Sequence, residues 1–387
     1  MTDVYLYDAV RTPRGKARPD GGLAALSPQE LVRQQAAALA ARCGVAAAHP
    51  DALILGCVTQ TGAQGGHLAM LAKLHSDLPD TIAVQTINNY CASGLSAIGQ
   101  AVARIASGQA SHILAGGVES MSAVPFLSDR ATFYGNEELP QRARFVPPVL
   151  AADRLAASEG ITRAELDAAA LTSQQRAAQT DRDAALQRSR IATGALDGEE
   201  CIRPQTSAES LAAAPAAFGD LQAQYAGALE GATFEPLHGI AHAPPICDGA
   251  GLALIGSAWL GPPPRARVVA FAESGGDPVA SLTAGFAAMD KALARAGLTL
   301  GDMDRIEFME AFAVTIAKFL RDRDIDPARI NVSGGHLAKG HPMGASGAIL
   351  TSTLLDALDA CGGRHGLVVL TGAMGVGAAM VVERVEE

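Results

Sequence analysis

The two halves of the chain contain the same order of features: a turn of small residues, a helical stretch and then an apolar strand-like run. Cys91–Gly94, with the sequence CASG, opens a helical stretch, and His112–Gly117, with the sequence HILAGG, follows as an apolar run. In the second half, Gly344–Gly347, with the sequence GASG, opens another helical stretch, and Leu367–Gly372, with the sequence LVVLTG, follows as a strand. This shared order predicts a fold built by duplication. The alternative is a chance match in a chain rich in alanine and glycine.

Apolar runs and helical stretches alternate around these repeats. The runs, which suit strands covered on both faces, are Val4–Tyr7, Ala52–Val58, His112–Ala115, Val268–Phe271 and Leu367–Leu370. The alanine-rich helical stretches between them are Pro28–Arg42, Leu95–Ala106, Ala280–Ala296 and Ala348–Ala360. Alternation of this kind predicts an α/β fold with covered sheets.

The stretch 123–238 has a different pattern, with few strand candidates, many arginines and a helical segment at Arg163–Ala185. We interpret it as an inserted, mostly helical cap (loop) domain. The expected domains are an N-terminal half at 1–122, completed by about 239–265, the cap at 123–238, and a C-terminal half at 266–387.

Composition narrows the classes of protein. The 387 residues are 49% hydrophobic and 18% charged, which supports a large core and excludes a disordered chain. A net charge of −10 argues against nucleic-acid binding and against adhesion to an anionic membrane. The six cysteines are scattered without metal-ligand spacing, which favours a reduced cytoplasmic setting over a disulfide scaffold. We see no membrane span and no signal-peptide pattern.

Cys91 is a candidate nucleophile because it follows a strand-like run and precedes a helix. A cysteine at a helix N-terminus feels the positive end of the dipole, which lowers the pKa of its thiol and raises the thiolate fraction. Small neighbours leave room for a substrate. The alternative is a buried structural cysteine.

The glycine-rich loop Asn331–Gly347 carries two histidines, His336 and His341, ahead of a helix. His341 lies between Gly340 and Pro342, so its backbone is restricted and its ring has room. A neutral imidazole there accepts a thiol proton or donates to a developing oxyanion. The alternatives are a phosphate-binding loop or a tight turn, and His336 competes for the same role.

Two further stretches follow strand-like runs. Thr371–Gly377, with the sequence TGAMGVG, consists of small residues whose backbone N–H groups can face an oxyanion. It is a weak candidate for a nucleotide-binding loop, because no helix of suitable spacing follows. Met309–Ala313, with the sequence MEAFA, follows the run Arg305–Phe308. Alone it is unremarkable, since a methionine before a helix is usually core packing.

Together these stretches resemble the thiolase family, the acyl-CoA acyltransferases that make or cleave 3-oxoacyl-CoA. The resemblance runs almost end to end. It is carried by Ala9–Lys16 (AVRTPRGK), Tyr90–Gly94 (YCASG), Gly116–Ser122 (GGVESMS) and Gly340–Gly347 (GHPMGASG). It implies a duplicated thiolase fold, five-layered α/β/α/β/α, with an inserted cap, in agreement with the internal repeat.

The resemblance also implies roles. Cys91 is the thiol that becomes acylated, His341 activates it, and the backbone N–H groups of Cys91 and Ala373 form an oxyanion hole. The substrate is a coenzyme A thioester, with no metal and no further cofactor, and the usual assembly is a homodimer or homotetramer. Residues that bind coenzyme A are not assigned. Surface charge and phosphate binding are the alternative interpretations of four cap arginines, Arg142, Arg144, Arg154 and Arg163.

Three positions depart from the family pattern. The C-terminal loop normally begins with a second cysteine, in a Cys-x-Gly-x-Gly pattern, where this chain has Thr371. That cysteine removes and returns the α-proton, and a threonine hydroxyl is too weakly acidic to replace it. The asparagine of the Asn-Glu-Ala-Phe motif, which positions a water in a second oxyanion hole, is Met309, whose thioether donates no hydrogen bond. His242–Pro245 (HAPP) replaces an Asn-Ala-Ser-Gly-like stretch near the pantetheine.

These features predict an acyltransferase that forms an acyl-Cys91 intermediate and has an altered second half-reaction. The acyl group passes between coenzyme A thioesters or to another acceptor, in fatty acid or polyketide-type metabolism. The base is His341, a substrate group or a water held by Thr371. One alternative is an ordinary 3-ketoacyl-CoA thiolase with a compensating base. Another is a weakly or non-catalytic subunit that binds acyl-CoA in a hetero-oligomer, against which the retained Cys91 and His341 argue.

Overall fold

The structure is a computed structural model that describes residues 2–257 and 260–385. Its strands are β1 Tyr5–Arg11, β2 Gly15–Lys16, β3 Ala52–Gly56, β4 Ala83–Ile87, β5 His112–Glu119, β6 Cys247–Gly256, β7 Ala266–Gly275, β8 Arg305–Phe308, β9 His365–Gly372 and β10 Val376–Arg384. Its α-helices are α1 Pro28–Cys43, α2 Val45–Ala48, α3 Leu68–His75, α4 Ser93–Ala106, α5 Pro148–Glu159, α6 Arg163–Thr180, α7 Ala208–Ala213, α8 Leu221–Gln224, α9 Ala284–Ala296, α10 Ala313–Asp322, α11 His336–Lys339 and α12 Ser346–Cys361. In the described ranges, no helix combines the length and the apolar character needed to cross a membrane.

The strands of the described residues form one sheet in the order β4-β3-β5-β6-β1-β7-β10-β9-β8, with β2 paired to β6. In the N-terminal part, β3 and β5 are parallel, and β5, β6 and β1 are antiparallel neighbours. In the C-terminal part, β8 and β9 are parallel, and β9, β10 and β7 are antiparallel neighbours. The two parts therefore have the same topology, which confirms the predicted duplication. They join where Tyr5 and Leu6 of β1 pair with Arg267 and Ala266 of β7.

The helices make the fold five-layered, α/β/α/β/α. Helix α4 contacts β3 and β5 of the N-terminal part and also β7 and β10 of the C-terminal part, and α12 contacts β1, β6, β8 and β9. These two helices therefore lie between the two parts of the sheet. Helices α1 and α3 contact the N-terminal strands from outside, and α9 contacts β7, β9 and β10. A central apolar cluster fills the space around α4 and α12.

The two central helices approach each other closely because their first turns contain glycine. A Cβ atom at Gly347 would lie 2.2 Å from the backbone N of Leu95, which no side chain allows. The small-residue repeats that open the two helices are therefore packing motifs as well as turns. Their contact brings the start of α4, which follows Cys91, next to the start of α12, which follows His341.

The sequence patterns located most elements but missed two central strands. Strand β6 is rich in glycine and alanine, which have little intrinsic preference for strands, whereas β10 contains three valines. Both strands pair on two sides in the sheet. The stretch 123–238 contains helices α5 to α8 and no strand of the sheet. Its first long helix after α5 ends at Thr180, earlier than the pattern indicated.

Candidate active site

Cys91 lies at a sharp turn between β4 and α4. The turn depends on Tyr90, whose φ of 46° lies in the left-handed region. The backbone N–H of Tyr90 donates to Asn88 Oδ1 at 2.9 Å, and Ser93 Oγ donates to the Tyr90 carbonyl at 2.5 Å. The turn leaves the Cys91 side chain half-buried on the wall of a large cavity.

Burial shifts the pKa of Cys91 in the direction opposite to the one expected from its position before a helix. Desolvation raises the pKa of the Cys91 thiol to about 12, against hydrogen bonds from the backbone N–H groups of Ala373 and Cys91 itself. The expectation of a thiolate-rich cysteine from its position at a helix start is therefore wrong. Since the thiol is neutral near pH 7, it must lose its proton to a base as it attacks.

Gly372 lies beside the nucleophile and packs closely against Val376. A Cβ atom at Gly372 would lie 3.4 Å from the backbone N of Cys91 and 2.6 Å from Cγ2 of Val376. The next residue, Ala373, begins a short turn in which Met374 has a φ of 58°. The turn directs the Ala373 backbone N–H at the Cys91 sulfur.

His341 lines the same cavity as Cys91. Its backbone N–H donates to the Pro245 carbonyl at 2.9 Å, and its Nδ1 lies 2.7 Å from Oγ of Ser346. Its Nε2 is buried and has no hydrogen-bond partner among the described residues. Burial lowers the pKa of His341 to about 3, and the positive charge of Arg14 acts in the same direction. The ring is therefore neutral near pH 7, with one nitrogen available for a proton or a hydrogen bond.

His336 lies behind His341. It is fully buried and is not among the residues that line the cavity. Its ring packs edge-to-face against that of His341, with 5.1 Å between centroids and 80° between planes. Of the two histidines that the sequence left in competition, the structure places only His341 at the cavity.

Thr371 and Met309, the two positions where the sequence predicts a departure from the family motifs, have different surroundings. Thr371, at the end of β9, lines the cavity, and its Oγ1 has no hydrogen-bond partner within residues 2–257 and 260–385. Met309 is fully buried in the central apolar cluster and does not line the cavity, although Ala311 and Phe312 of the same segment do. The cavity therefore brings together Cys91, His341, Thr371 and Ala373, with Met309 behind its wall.

The cavity has a volume of about 940 Å³ and mostly apolar walls. The cap contributes aromatic and aliphatic side chains to it, among them Phe126, Tyr134, Phe145, Phe218, Leu221 and Tyr225. No Asp or Glu of the described chain lines this cavity, whereas three basic residues do, Lys16, Arg18 and Arg203. In a chain of net charge −10, such a wall selects a ligand with both apolar and anionic parts.

The basic residues come from two segments that Glu200 ties together. Its Oε2 accepts from the backbone N–H of Lys16 at 2.8 Å and of Gly22 at 3.1 Å. Lys16 also lies opposite Cys247 where β2 pairs with β6. Sequence reasoning missed this basic group, because Lys16 and Arg203 are 187 positions apart and no local pattern connects them.

The cap arginines proposed as phosphate contacts lie elsewhere. Arg144 donates to the carbonyls of Leu139, Glu137 and Gly227, which identifies it as a structural residue. Arg163 has a comparable role, because it pairs with Asp167 and donates to carbonyls of the cap. The other two cap arginines, Arg142 and Arg154, line a separate cavity of about 400 Å³, together with Glu230 and Asp277.

Glu119 is a buried residue whose importance sequence reasoning missed, although it lies in the motif GGVESMS. Its carboxylate accepts from the backbone N–H groups of Val58 at 2.9 Å, Thr59 at 3.0 Å and Gly344 at 3.0 Å. Burial raises the pKa of Glu119, while these hydrogen bonds lower it. Glu119 therefore joins the cavity wall at Val58 and Thr59 to the turn that precedes α12.

A buried ion pair is connected, through Arg14, to the loop that carries His341. Arg11 and Glu199 are both fully buried and lie 2.6 Å apart. The other oxygen of Glu199 accepts from the backbone N–H of Arg14 at 2.8 Å, and the Arg14 guanidinium donates to the Gly340 carbonyl at 3.4 Å. The opening motif AVRTPRGK thus contacts the residue directly before His341.

His242 occupies the position of the third departure. Its Nε2 lies 2.7 Å from Oδ1 of Asp167, and its Nδ1 accepts from the backbone N–H of Gly239 at 2.9 Å. Both ring nitrogens therefore have partners, Asp167 and Gly239. The residues that follow, Ala243, Pro244 and Pro245, line the cavity.

Family models match both halves of the chain. The model described as "Thiolase, N-terminal domain" matches residues 4–257, and "Thiolase, C-terminal domain" matches residues 262–384. A beta-ketoadipyl-CoA thiolase of Pseudomonas knackmussii is 34% identical over 99% of each chain. The steroid 3-ketoacyl-CoA thiolase FadA6 of Mycobacterium tuberculosis is 31% identical over 99% of this chain and 95% of its own.

A solved structure agrees with these sequence matches. The crystal structure of human mitochondrial 3-ketoacyl-CoA thiolase superposes with a TM-score of 0.85 and 29% sequence identity, over 99% of each chain. The matches span both halves of the duplicated fold and include the segments that form the cavity. The chain therefore belongs to the thiolase family and is an acyl-CoA acyltransferase.

Proposed function

We propose that Cys91 is acylated by a coenzyme A thioester and that the second half-reaction proceeds without a thiol base. The observation that carries this proposal is that Cys91, His341, Ala373 and Thr371 all line one cavity. The first three supply a nucleophile, a neutral imidazole and a backbone donor. The fourth supplies only a hydroxyl where the family has its second cysteine.

The acyl-transfer step follows from these groups. The Cys91 thiol gives its proton to Nε2 of His341 as the sulfur attacks the thioester carbonyl. The carbonyl oxygen becomes an oxyanion, which accepts from the backbone N–H groups of Cys91 and Ala373. Collapse of the intermediate breaks the bond to the coenzyme A sulfur, which takes the proton from the imidazolium. These groups complete the step without a metal ion.

The walls of the cavity support a coenzyme A thioester as the substrate. The acyl chain and the pantetheine are largely apolar and suit the aromatic lining. The phosphates are anionic and suit Lys16, Arg18 and Arg203, which line the same cavity. We assign coenzyme A binding to these three residues rather than to the cap arginines.

Thr371 supports an altered second half-reaction. An enolate forms only if a base removes the α-proton of the second thioester, and a threonine hydroxyl is far too weakly acidic for that cycle near neutral pH. A second candidate function is that of an ordinary 3-ketoacyl-CoA thiolase with another base. The names of the relatives favour it, since they include a beta-ketoadipyl-CoA thiolase and a steroid 3-ketoacyl-CoA thiolase.

One pair of assays separates these functions. Incubation with acetyl-CoA, followed by intact-mass spectrometry, should show one acetyl group on the wild-type chain and none on Cys91→Ala. Thiolysis of acetoacetyl-CoA by the wild type should be slow. A kcat on the order of 10 per second or more would instead establish the ordinary thiolase. Absence of acylation would contradict both enzymes and favour a binding subunit.

A further inference from the structure

The two ring nitrogens of His336 are buried and lack hydrogen-bond partners in the described residues. His336 is the first residue of α11, and it is fully buried. An unsatisfied buried polar group destabilises a protein and is therefore a sign of another role. The ring also does not line the cavity, so it does not contact the substrate.

The ring of His336 has one specific contact, the edge-to-face packing against His341 at 5.1 Å between centroids. Burial lowers the pKa of His336 well below its ordinary value, and His341, Arg14 and Lys339 act in the same direction. Both rings are therefore neutral near pH 7. No hydrogen bond joins the two rings among the described residues, so the contact is one of shape rather than of proton transfer.

The His341 ring needs such a contact because its hydrogen bonding fixes one atom only. Nδ1 is held 2.7 Å from Ser346 Oγ, whereas Nε2 has no partner in the described residues. The torsion that turns a histidine ring has broad preferences, so one bond at Nδ1 does not define the plane of the ring. A second ring packed against it at 80° between planes restricts that rotation.

We propose that His336 is a positioning residue, whose ring holds the plane of the His341 imidazole so that Nε2 stays directed at the reacting thiol. This inference rests on the proposed role of His341 as the base for Cys91. A base displaced by about 1 Å can lose about a hundredfold in rate, so a contact that only holds a ring has a measurable kinetic effect.

Two substitutions of similar volume test the role of the ring. His336→Phe keeps an aromatic ring, and His336→Leu fills the space without one. In single-turnover acylation by acetyl-CoA, we expect His336→Phe to stay within about threefold of the wild type and His336→Leu to fall about tenfold or more. The KM for acetyl-CoA should not change in either variant, because the side chain does not line the cavity. A purely structural role would not produce this rescue by phenylalanine.

Leu337→Ala is the matched control, since Leu337 is a fully buried residue of the same short helix and packs in another apolar cluster. It should lower the midpoint of thermal unfolding without the tenfold loss in acylation rate. The inference is overturned if His336→Leu acylates at the wild-type rate. It is also overturned if His336→Phe loses as much as His336→Leu, or if Leu337→Ala does.

Failure of the proposed function is recognised separately. A wild type that does not acylate Cys91, or a His341→Ala variant that acylates at the wild-type rate, contradicts the role of His341 itself. Either result removes the base that His336 is proposed to position and overturns both statements. A slow His341→Ala variant together with an unaffected His336→Leu variant overturns the positioning role alone.

Discussion

Oγ of Ser346 lies 2.7 Å from Nδ1 of His341, so the first residue of α12 holds the imidazole that precedes it by five positions. The partner at one ring nitrogen sets the protonation of the other. We predict that Ser346→Ala lowers the rate of Cys91 acylation about five- to tenfold, the equivalent of about 1 kcal/mol for one hydrogen bond. Rapid-quench mass spectrometry measures this rate. Ser352→Ala is the control, because Ser352 Oγ donates to the Ile349 carbonyl of the same helix; an equal loss there would contradict the prediction.

Cys91→Ala should abolish acyl-enzyme formation and leave the fold intact, because a small residue at this turn is tolerated. Peptide mapping after incubation with acetyl-CoA should place the acetyl group of the wild type on Cys91. The mapping should be done in a Cys361→Ser background, since Cys361 is exposed and reacts with reagents unrelated to the site. An acetyl group on Cys201, which also lines the cavity, would contradict the assignment.

His341→Ala should slow acylation by about 10²- to 10⁴-fold, the range for loss of a general base. His336→Ala should cost less, about tenfold, because this side chain contacts the His341 ring but does not line the cavity. Single-turnover rates at saturating acetyl-CoA measure both effects. Equal losses in the two variants would show that the two histidines act as one unit and that the choice of His341 as the base is wrong.

Thr371→Cys should raise the rate of acetoacetyl-CoA thiolysis, because it restores a thiol with a reference pKa of about 8.5 at the position of the family's second cysteine. Thr371→Ser is the matched control: it keeps a hydroxyl and should give no gain. Adding Met309→Asn to Thr371→Cys should raise thiolysis further, by restoring a donor for the second oxyanion hole.

The effects of Thr371→Cys and Met309→Asn on the thiolysis rate should be coupled, since both residues act on the enolate transition state. Met309 is fully buried among apolar side chains, so an asparagine there also lowers stability. The midpoint of thermal unfolding should therefore be measured for each variant together with its kinetics. Purely additive effects on thiolysis, or a gain in Thr371→Ser equal to that in Thr371→Cys, would contradict the assignment.

The buried histidines predict how stability depends on pH. Burial lowers the pKa of His341 to about 3 and that of His336 well below its ordinary value. The reference pKa of histidine in an unfolded chain is about 6.5. Below that pH the unfolded state binds more protons than the folded state, so the free energy of unfolding decreases as the pH falls.

His336→Phe should make this pH dependence shallower, by up to about 1.4 kcal/mol per pH unit below about pH 6.5. Urea denaturation at pH 7, 6 and 5 measures the difference between the variant and the wild type. Glu119 and Glu310, whose pKa values burial raises, act in the opposite direction but equally in both proteins. An identical slope in the two proteins would contradict the prediction.

The local patterns of the chain were sufficient to predict the duplicated α/β fold and to single out Cys91 and two histidines, His336 and His341, as candidates for the site. The repeats at Cys91–Gly94 and Gly344–Gly347 were informative because close packing of two helices requires small residues at their starts. Strands β6 and β10 escaped detection, and β6 is rich in glycine and alanine, which have little strand preference of their own. Both strands pair on two sides in the sheet.

The sequence by itself indicated the family resemblance and the nucleophile motif, and it predicts that Thr371 stands where the family pattern has its second cysteine, because these depend on residue types in order along the chain. Only the tertiary structure decided that His341 and not His336 lines the cavity. It also decided that Lys16, Arg18 and Arg203 all line that cavity. It also reversed the expected acidity of Cys91, whose pKa burial raises to about 12. The physical reason is that desolvation and convergence depend on residues far apart in the chain, whose contacts no local pattern records.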